Sequence, residues 1–230
     1  MRVQAGMAAT KRVQTIEEQV DALFDNDDND DNDEADFSAL ILASERDDAN
    51  ELSRLKALAY RSKGLGYCMQ GNLAEGLKWQ QRSLELYREA SDLPNTATLS
   101  MEIAITYDNA GQKALARPLF LFALEAWRDL HNLMGQANVL NSLGVFYQEQ
   151  GQHEEAFATL SQAIDCARRS GYVRMEAFAL TSLGDLVFEV GLPQSAQSFY
   201  HQAYPLARRL DERFLVLYLE LARAALAWSA

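Results

Sequence analysis

Three histidines, two cysteines and one carboxylate run are the side chains in this sequence whose types could do chemistry. His131, His153 and His201 stand far apart, and none lies in a His-x-x-x-His or Cys-x-x-Cys setting that would aim two ligands at one ion. Cys68 and Cys166 are too few for a disulfide framework and read as small apolar core residues. The run from Asp25 to Glu34 contains only Asp, Asn and Glu, and its alternating carboxylates suit a calcium loop. Its sixth position, however, is Asp30, where such a loop turns on glycine, and its twelfth is Asp36 rather than a bidentate glutamate. Ten such residues repel one another and bury nothing, so a solvated segment is expected. The glycines recur singly and form no phosphate cradle. These residues imply no catalytic constellation, metal or cofactor.

Charge and composition narrow the classes further. The net charge is −12, but residues 1–50 hold 14 acidic and 4 basic side chains, so −10 of it belongs there. The remaining 180 residues are close to neutral, at −2. Nothing supplies the basic face that phosphate contacts need, so direct nucleic-acid binding is not expected. No apolar run reaches about 18 residues, so no membrane span is expected. The first 15 residues are too polar for a signal peptide, which points to the cytoplasm.

The elements that position any site emerge from a repeat. Stepping by 40 aligns Gly71, Gly111, Gly151 and Gly191 without a gap. The same step aligns Gly64, Ala104, Gly144 and Gly184, then Ala57, Ala97, Ala137 and Ala177, then Tyr67, Tyr107, Tyr147 and Val187. Beyond each turn come Gly76, Ala116, Ala156 and Ala196, followed by Ser83, Ala123, Ala163 and Ala203. The Gly71 column follows a helix and suits the left-handed conformation that ends one. Glycine inside a helix costs about 1 kcal/mol in propensity, so the Gly64 column makes sense where two helices cross closely. The tyrosine column supplies a large wedge with a polar end.

Helical periodicity between the columns predicts helix pairs over 52–69 and 72–91, 95–110 and 113–131, 134–150 and 153–170, 174–190 and 193–209. A last helix over 213–228 repeats the first half of a pair. Pro193 sits at a helix start, while Pro205 lies inside a helix and is expected to bend it. Upstream, Thr15-Ile-Glu-Glu18 fits a capping box opening a short helix over 15–24. Leu40 and Ala43 fall in register with Leu160 and Ala163, so 35–46 reads as the second helix of an incomplete unit, with Asp47-Asp-Ala-Asn50 as a turn. The domain organisation is then a segment 1–34, an incomplete repeat 35–50, and four repeats with a capping helix over 51–230.

At these residues the chain resembles the tetratricopeptide repeat family. The match is Leu143-Gly144, Tyr147, Gly151, Ala156, Leu160 and Ala163, with Ala104, Tyr107, Gly111, Ala116, Phe120 and Ala123 one repeat earlier. The first repeat is the most degenerate. The usual period is 34 residues with an early Trp and a late Pro; here the period is 40, and the extra residues are expected to lengthen both the helices and the turns between repeats. This longer variety is similar to arrays in kinesin light chains, spindle-orientation adaptors and MalT-type bacterial activators.

The resemblance implies an all-α fold, a right-handed α-solenoid of antiparallel helix hairpins, whose concave wall is built by the first helix of each repeat. A protein or peptide ligand would lie there. Carried over by register, the groove positions are Arg61, Met101, Asp108, Asn138, Asn141, Gln148, Phe178, Thr181 and Asp185. Asn141 is the sharpest of them, because an amide can pair with both faces of a partner backbone. Lysine is absent from these positions, which argues against a clamp on acidic peptide ends. The implied function is a non-catalytic scaffold in bacterial regulation or signalling; the alternative is the small-molecule sensor of a MalT-type activator.

Overall fold

The computed structural model describes residues 49–228, all helix and short turns. The readings for 15–24, 25–34 and 35–46 lie outside the described residues. Contacts divide the chain into an N-terminal block ending at Asp92 and a C-terminal block beginning at Leu93. The N-terminal block contains α1 (Ala49–Met69) packed against α2 (Leu73–Glu89). The C-terminal block contains α3 (Leu93–Asn109), α4 (Lys113–Asp129), α5 (Leu133–Glu149), α6 (His153–Ser170), α7 (Val173–Glu189), α8 (Pro193–Arg209) and α9 (Arg213–Trp228). Each starts and ends within about two residues of its expected bounds, except that α1 begins at Ala49. The turn read at 47–50 is corrected there, since Ala49 and Asn50 are already helical.

Within the C-terminal block, α3 packs on α4, α5 on α6 and α7 on α8, forming three hairpins. The hairpins stack through α4 on α5 and α6 on α7, and α9 closes against α8. The first helices also touch directly, α3 on α5 and α5 on α7. One core runs from Ala104 through Phe120, Leu143, Phe146, Leu160, Leu183 and Tyr200 to Leu219 and Leu226. A single hairpin could not cover this surface; stacking covers it, which is the logic of a repeat array.

The turns explain the period. From α3 to α8, helices of 17 residues alternate with turns at 110–112, 130–132, 150–152, 190–192 and 210–212, and the 18-residue α6 is followed by a shorter turn at 171–172. Turns within and between repeats are therefore alike, and the expectation that the turns between repeats are longer is corrected: the extra residues lie in the helices. Each helix from α1 to α8 closes by a Schellman pair of bonds, as where the Gly151 N–H donates to the Gln148 carbonyl at 2.8 Å and the Gln152 N–H to the Tyr147 carbonyl at 3.0 Å. Such closure places a residue just beyond the helix cap at positive φ, and Gly151 adopts +71°. The turns between repeats use the same conformation at Ser91, His131, Gly171 and Asp211, three of which are not glycine.

The small-residue column does what its spacing implies. A Cβ on Gly144 would sit 2.5 Å from Leu160 Cγ, and one on Gly184 would sit 2.5 Å from Tyr200 Cε1. Helix crossing at these points leaves no room for a side chain. Gly135 serves the contact between repeats in the same way, with the Trp127 ring lying where its Cβ would be. Two prolines, Pro118 and Pro205, lie inside α4 and α8, both of which remain helical throughout. Both prolines are exposed, as are Ala114 and His201, whose carbonyls lose their intrahelical donors and can turn to water.

Candidate functional site

Eight of the nine groove positions fall on α3, α5 and α7 in the C-terminal block. Arg61 lies on α1 in the N-terminal block, half-buried. On α3, Met101 is half-buried and packs against the core. Asp108 stands near the C-terminus of α3, with Lys113 Nζ 3.9 Å from its Oδ1 and 3.7 Å from Glu149 Oε2. That Oδ1 is shut off from solvent and has no hydrogen-bond donor. Burial pushes the Asp108 carboxyl above its ordinary value, the neighbouring Glu149 pushes it the same way, and the Lys113 charge opposes both.

On α5, Asn138 and Asn141 are half-buried one turn apart. The Oδ1 of Asn141 is likewise closed off from solvent without a donor. Such an oxygen has given up its water and gained no partner, which is unfavourable. Gln148 donates from Nε2 to Glu189 Oε2 at 2.7 Å, joining the C-terminal ends of α5 and α7.

On α7 the register positions diverge. Phe178 is half-buried, with the Arg174 guanidinium 5.5 Å from its ring centre; Arg174 in turn bonds Glu212. Thr181 is buried, and its hydroxyl donates to its own helix at the Ala177 carbonyl, 2.9 Å away. Asp185 accepts from the Tyr200 hydroxyl at 2.7 Å and from Tyr218 on α9. Burial raises the Asp185 carboxyl above its ordinary value while the two phenols pull it back. Tyr218 is pushed up to about 12, chiefly by burial and then by the carboxylate it binds, and Tyr200 is pushed up for the same reasons.

The register positions thus differ in how they are engaged within the array, with Asp108 beside Lys113, Gln148 bonded to Glu189 and the Asn141 oxygen unpartnered. Met101, Asp108, Asn138, Asn141 and Gln148 lie on the adjacent α3 and α5. Thr181 and Asp185 are engaged within the array. Glu149, Glu189, Lys113 and Tyr200 are participants that register reasoning missed, while register places Tyr218 on the wall as part of the last helix. The pairing of Gln148 with Glu189 carries a signal, since the same step of 41 relates Asp108 to Glu149. No fixed step relates Asp185 to both of its phenols.

Among the described residues, no three His, Cys, Asp or Glu side chains converge to hold a metal ion. No described helix is long and apolar enough to cross a membrane. A shallow cleft of about 460 Å³ lies off the wall, lined by Lys113, Arg117, Pro118, Leu121, Phe146 and others.

An array of equal helix hairpins with a wall of first helices defines a helical-repeat protein. A family model described as tetratricopeptide repeat matches residues 55–129 and again 135–209, and the chain belongs to that family. No curated protein matches the sequence. Among solved structures, BtubC (BKLC) from P. vanneervenii is similar with a TM-score of 0.64 and 17% identity, over 77% of this chain and 73% of that one. NprR in complex with its cognate peptide NprX is similar at 0.62 and 20% identity, over 95% of this chain and 59% of that one. A Rap protein complexed with competence and sporulation factor is similar at 0.61 and 16% identity, over 88% and 61%. At these identities the likeness is one of fold.

Proposed function

We propose that this chain is a non-catalytic scaffold that binds a protein or peptide segment along the first-helix wall of its C-terminal block, in bacterial regulation or signalling. The observation that carries this reading is Asn141. Its amide oxygen is shut off and unpartnered on the helix that both neighbouring first helices touch. A partner backbone that turns this amide outward and pairs with both its ends recovers the lost hydrogen bonding. The direct packing of α3 on α5 and α5 on α7 supports treating the first helices as one continuous surface. Two structures of similar fold, NprR and Rap, hold a cognate peptide and competence and sporulation factor respectively, and lend the reading a precedent.

The test is titration of the full chain against a peptide library and a metabolite panel. Saturable peptide binding that weakens about tenfold or more in Asn141→Ala, roughly the loss of one buried hydrogen-bonded contact, is expected. Saturable sugar or metabolite binding without any peptide ligand would replace this reading with the small-molecule sensor.

A further inference from the structure

The two layers of helices in the C-terminal block treat their own dipoles in opposite ways. A helix C-terminus is negative and favours a cation in its last turn. The second helices carry cations there: Arg128 in α4, beside the terminal Asp129, Arg168 and Arg169 in α6, and Arg208 and Arg209 in α8. The first helices α3, α5 and α7 have no basic residue there. They carry Asp108, Glu149 and Glu189 instead. Three successive helices break the same local rule at the same edge, and such departures cluster where function overrides stability.

The asymmetry extends along the layers. Together α3, α5 and α7 hold six carboxylates and one cation, Arg174, whereas α4, α6 and α8 hold seven cations and five carboxylates. The offending ends lie side by side. Gln148 at the end of α5 bonds Glu189 at the end of α7, and Lys113 comes within 3.9 Å of Asp108 and 3.7 Å of Glu149. One lysine thus serves two carboxylates, and Asp108 Oδ1 still lacks a donor. Apolar surface stands on the same wall, with Ile105 and Phe188 each about two-fifths exposed, at 37% and 42%.

We propose that this edge, Asp108, Glu149 and Glu189, seats a basic side chain of the partner, so that the bound segment is an arginine- or lysine-bearing amphipathic peptide. The proposal rests on the peptide-binding reading above and narrows its partner. A guanidinium or ammonium entering beside Asp108 and Glu149 supplies the donors that Lys113 alone does not, and meets the negative ends of the parallel helices. Apolar neighbours in the same segment lie on Ile105 and Phe188. An acidic segment would meet like charge along the whole edge.

Three labelled dodecapeptides of the same leucine and alanine framework, bearing three arginines, three glutamines or three glutamates, are titrated into the full chain by fluorescence anisotropy. The arginine peptide is expected to bind about tenfold or more tighter than the glutamine peptide, with the glutamate peptide weakest. This preference should shrink as salt rises, because the edge is partly exposed. Combining Asp108→Asn, Glu149→Gln and Glu189→Gln should reduce the arginine peptide to the level of the glutamine one. The same variant should melt at or above the parent temperature, since it removes acids opposed to the helix dipole; this separates lost binding from lost folding. Glu125→Gln on α4 should leave binding unchanged. Equal binding of all three peptides overturns the basic preference while leaving peptide binding intact. A preference that survives the triple substitution overturns its location. Failure of every peptide overturns the underlying reading and this proposal with it.

Discussion

The first and third repeats have the same backbone plan and differ in what fills it. In the third, Leu160 presses onto Gly144 and is fully buried, with Ala163 a turn further along. In the first, Gln80 presses onto Gly64 and is equally buried, but neither its amide nitrogen nor its oxygen has a partner. Ser83 stands where Ala163 does and donates to the Ala57 carbonyl at 2.5 Å. The comparison teaches that the repeat columns specify size and closeness of approach, and that polarity is free to drift at a stability cost. The third repeat is built for packing; the first keeps the shape with a weaker core.

The largest expected effect tests that difference at the wedge tyrosine. Tyr147 is 8% exposed and lies against Phe146, so Tyr147→Ala should cost about 3–5 kcal/mol in urea unfolding. Tyr67, its half-buried counterpart in the first repeat, should lose clearly less as alanine. Equal losses would break the comparison.

Next in size is the buried amide. Replacing Gln80 by leucine removes two unpaired polar atoms from a closed site and should stabilise the chain by about 1–3 kcal/mol. The reverse change, Leu160→Gln, should destabilise by at least as much. No gain from Gln80→Leu would mean that the amide finds partners in solution.

A smaller effect lies in the turns. His131 holds φ at +51° where Gly171 holds +69° in the next turn between repeats. His131→Gly should raise stability by up to about 1 kcal/mol, the left-handed penalty less the glycine entropy cost. A loss would show that the imidazole contributes more than its backbone costs.

The smallest effect is a pH slope in the fourth repeat. Burial holds the Asp185 carboxyl above its ordinary value, so the folded chain binds that proton more tightly than the unfolded chain. Its contribution is fully present below about pH 3.9 and is lost as pH rises through the higher folded value. Denaturation of Asp185→Asn across that window should therefore show a flatter pH dependence than the parent, and an unchanged slope would remove Asp185 from the account.

Much of this was legible because a repeat array reports each decision several times. Gly151 could be assigned to a left-handed helix end, and Gly144 to a close crossing, since their columns recur and each solves one steric problem. Helix bounds followed from the same columns. The left-handed positions between repeats were not legible: Ser91, His131 and Asp211 share no type with Gly171, because the Schellman closure fixes the backbone and lets the side chain vary. Register alone did not separate the surroundings of the proposed wall positions. Thr181 occupies the same register as Asn141, yet its short side chain folds back onto Ala177 and sinks. Asp185 shares a register with Val145 and Ile105, and only the fold brings Tyr200 and Tyr218 to it. Charge segregation between the two helix layers became visible only once first and second helices were told apart.

The central claim is that the first helices, and not the second, form the binding surface. Hydrogen–deuterium exchange of the full chain, with and without saturating arginine-bearing dodecapeptide, tests it directly. The account predicts added protection in residues 98–108 and 138–148, with α4, α6 and α8 unchanged. Protection confined to the second helices, or no change anywhere in the presence of bound peptide, would contradict it.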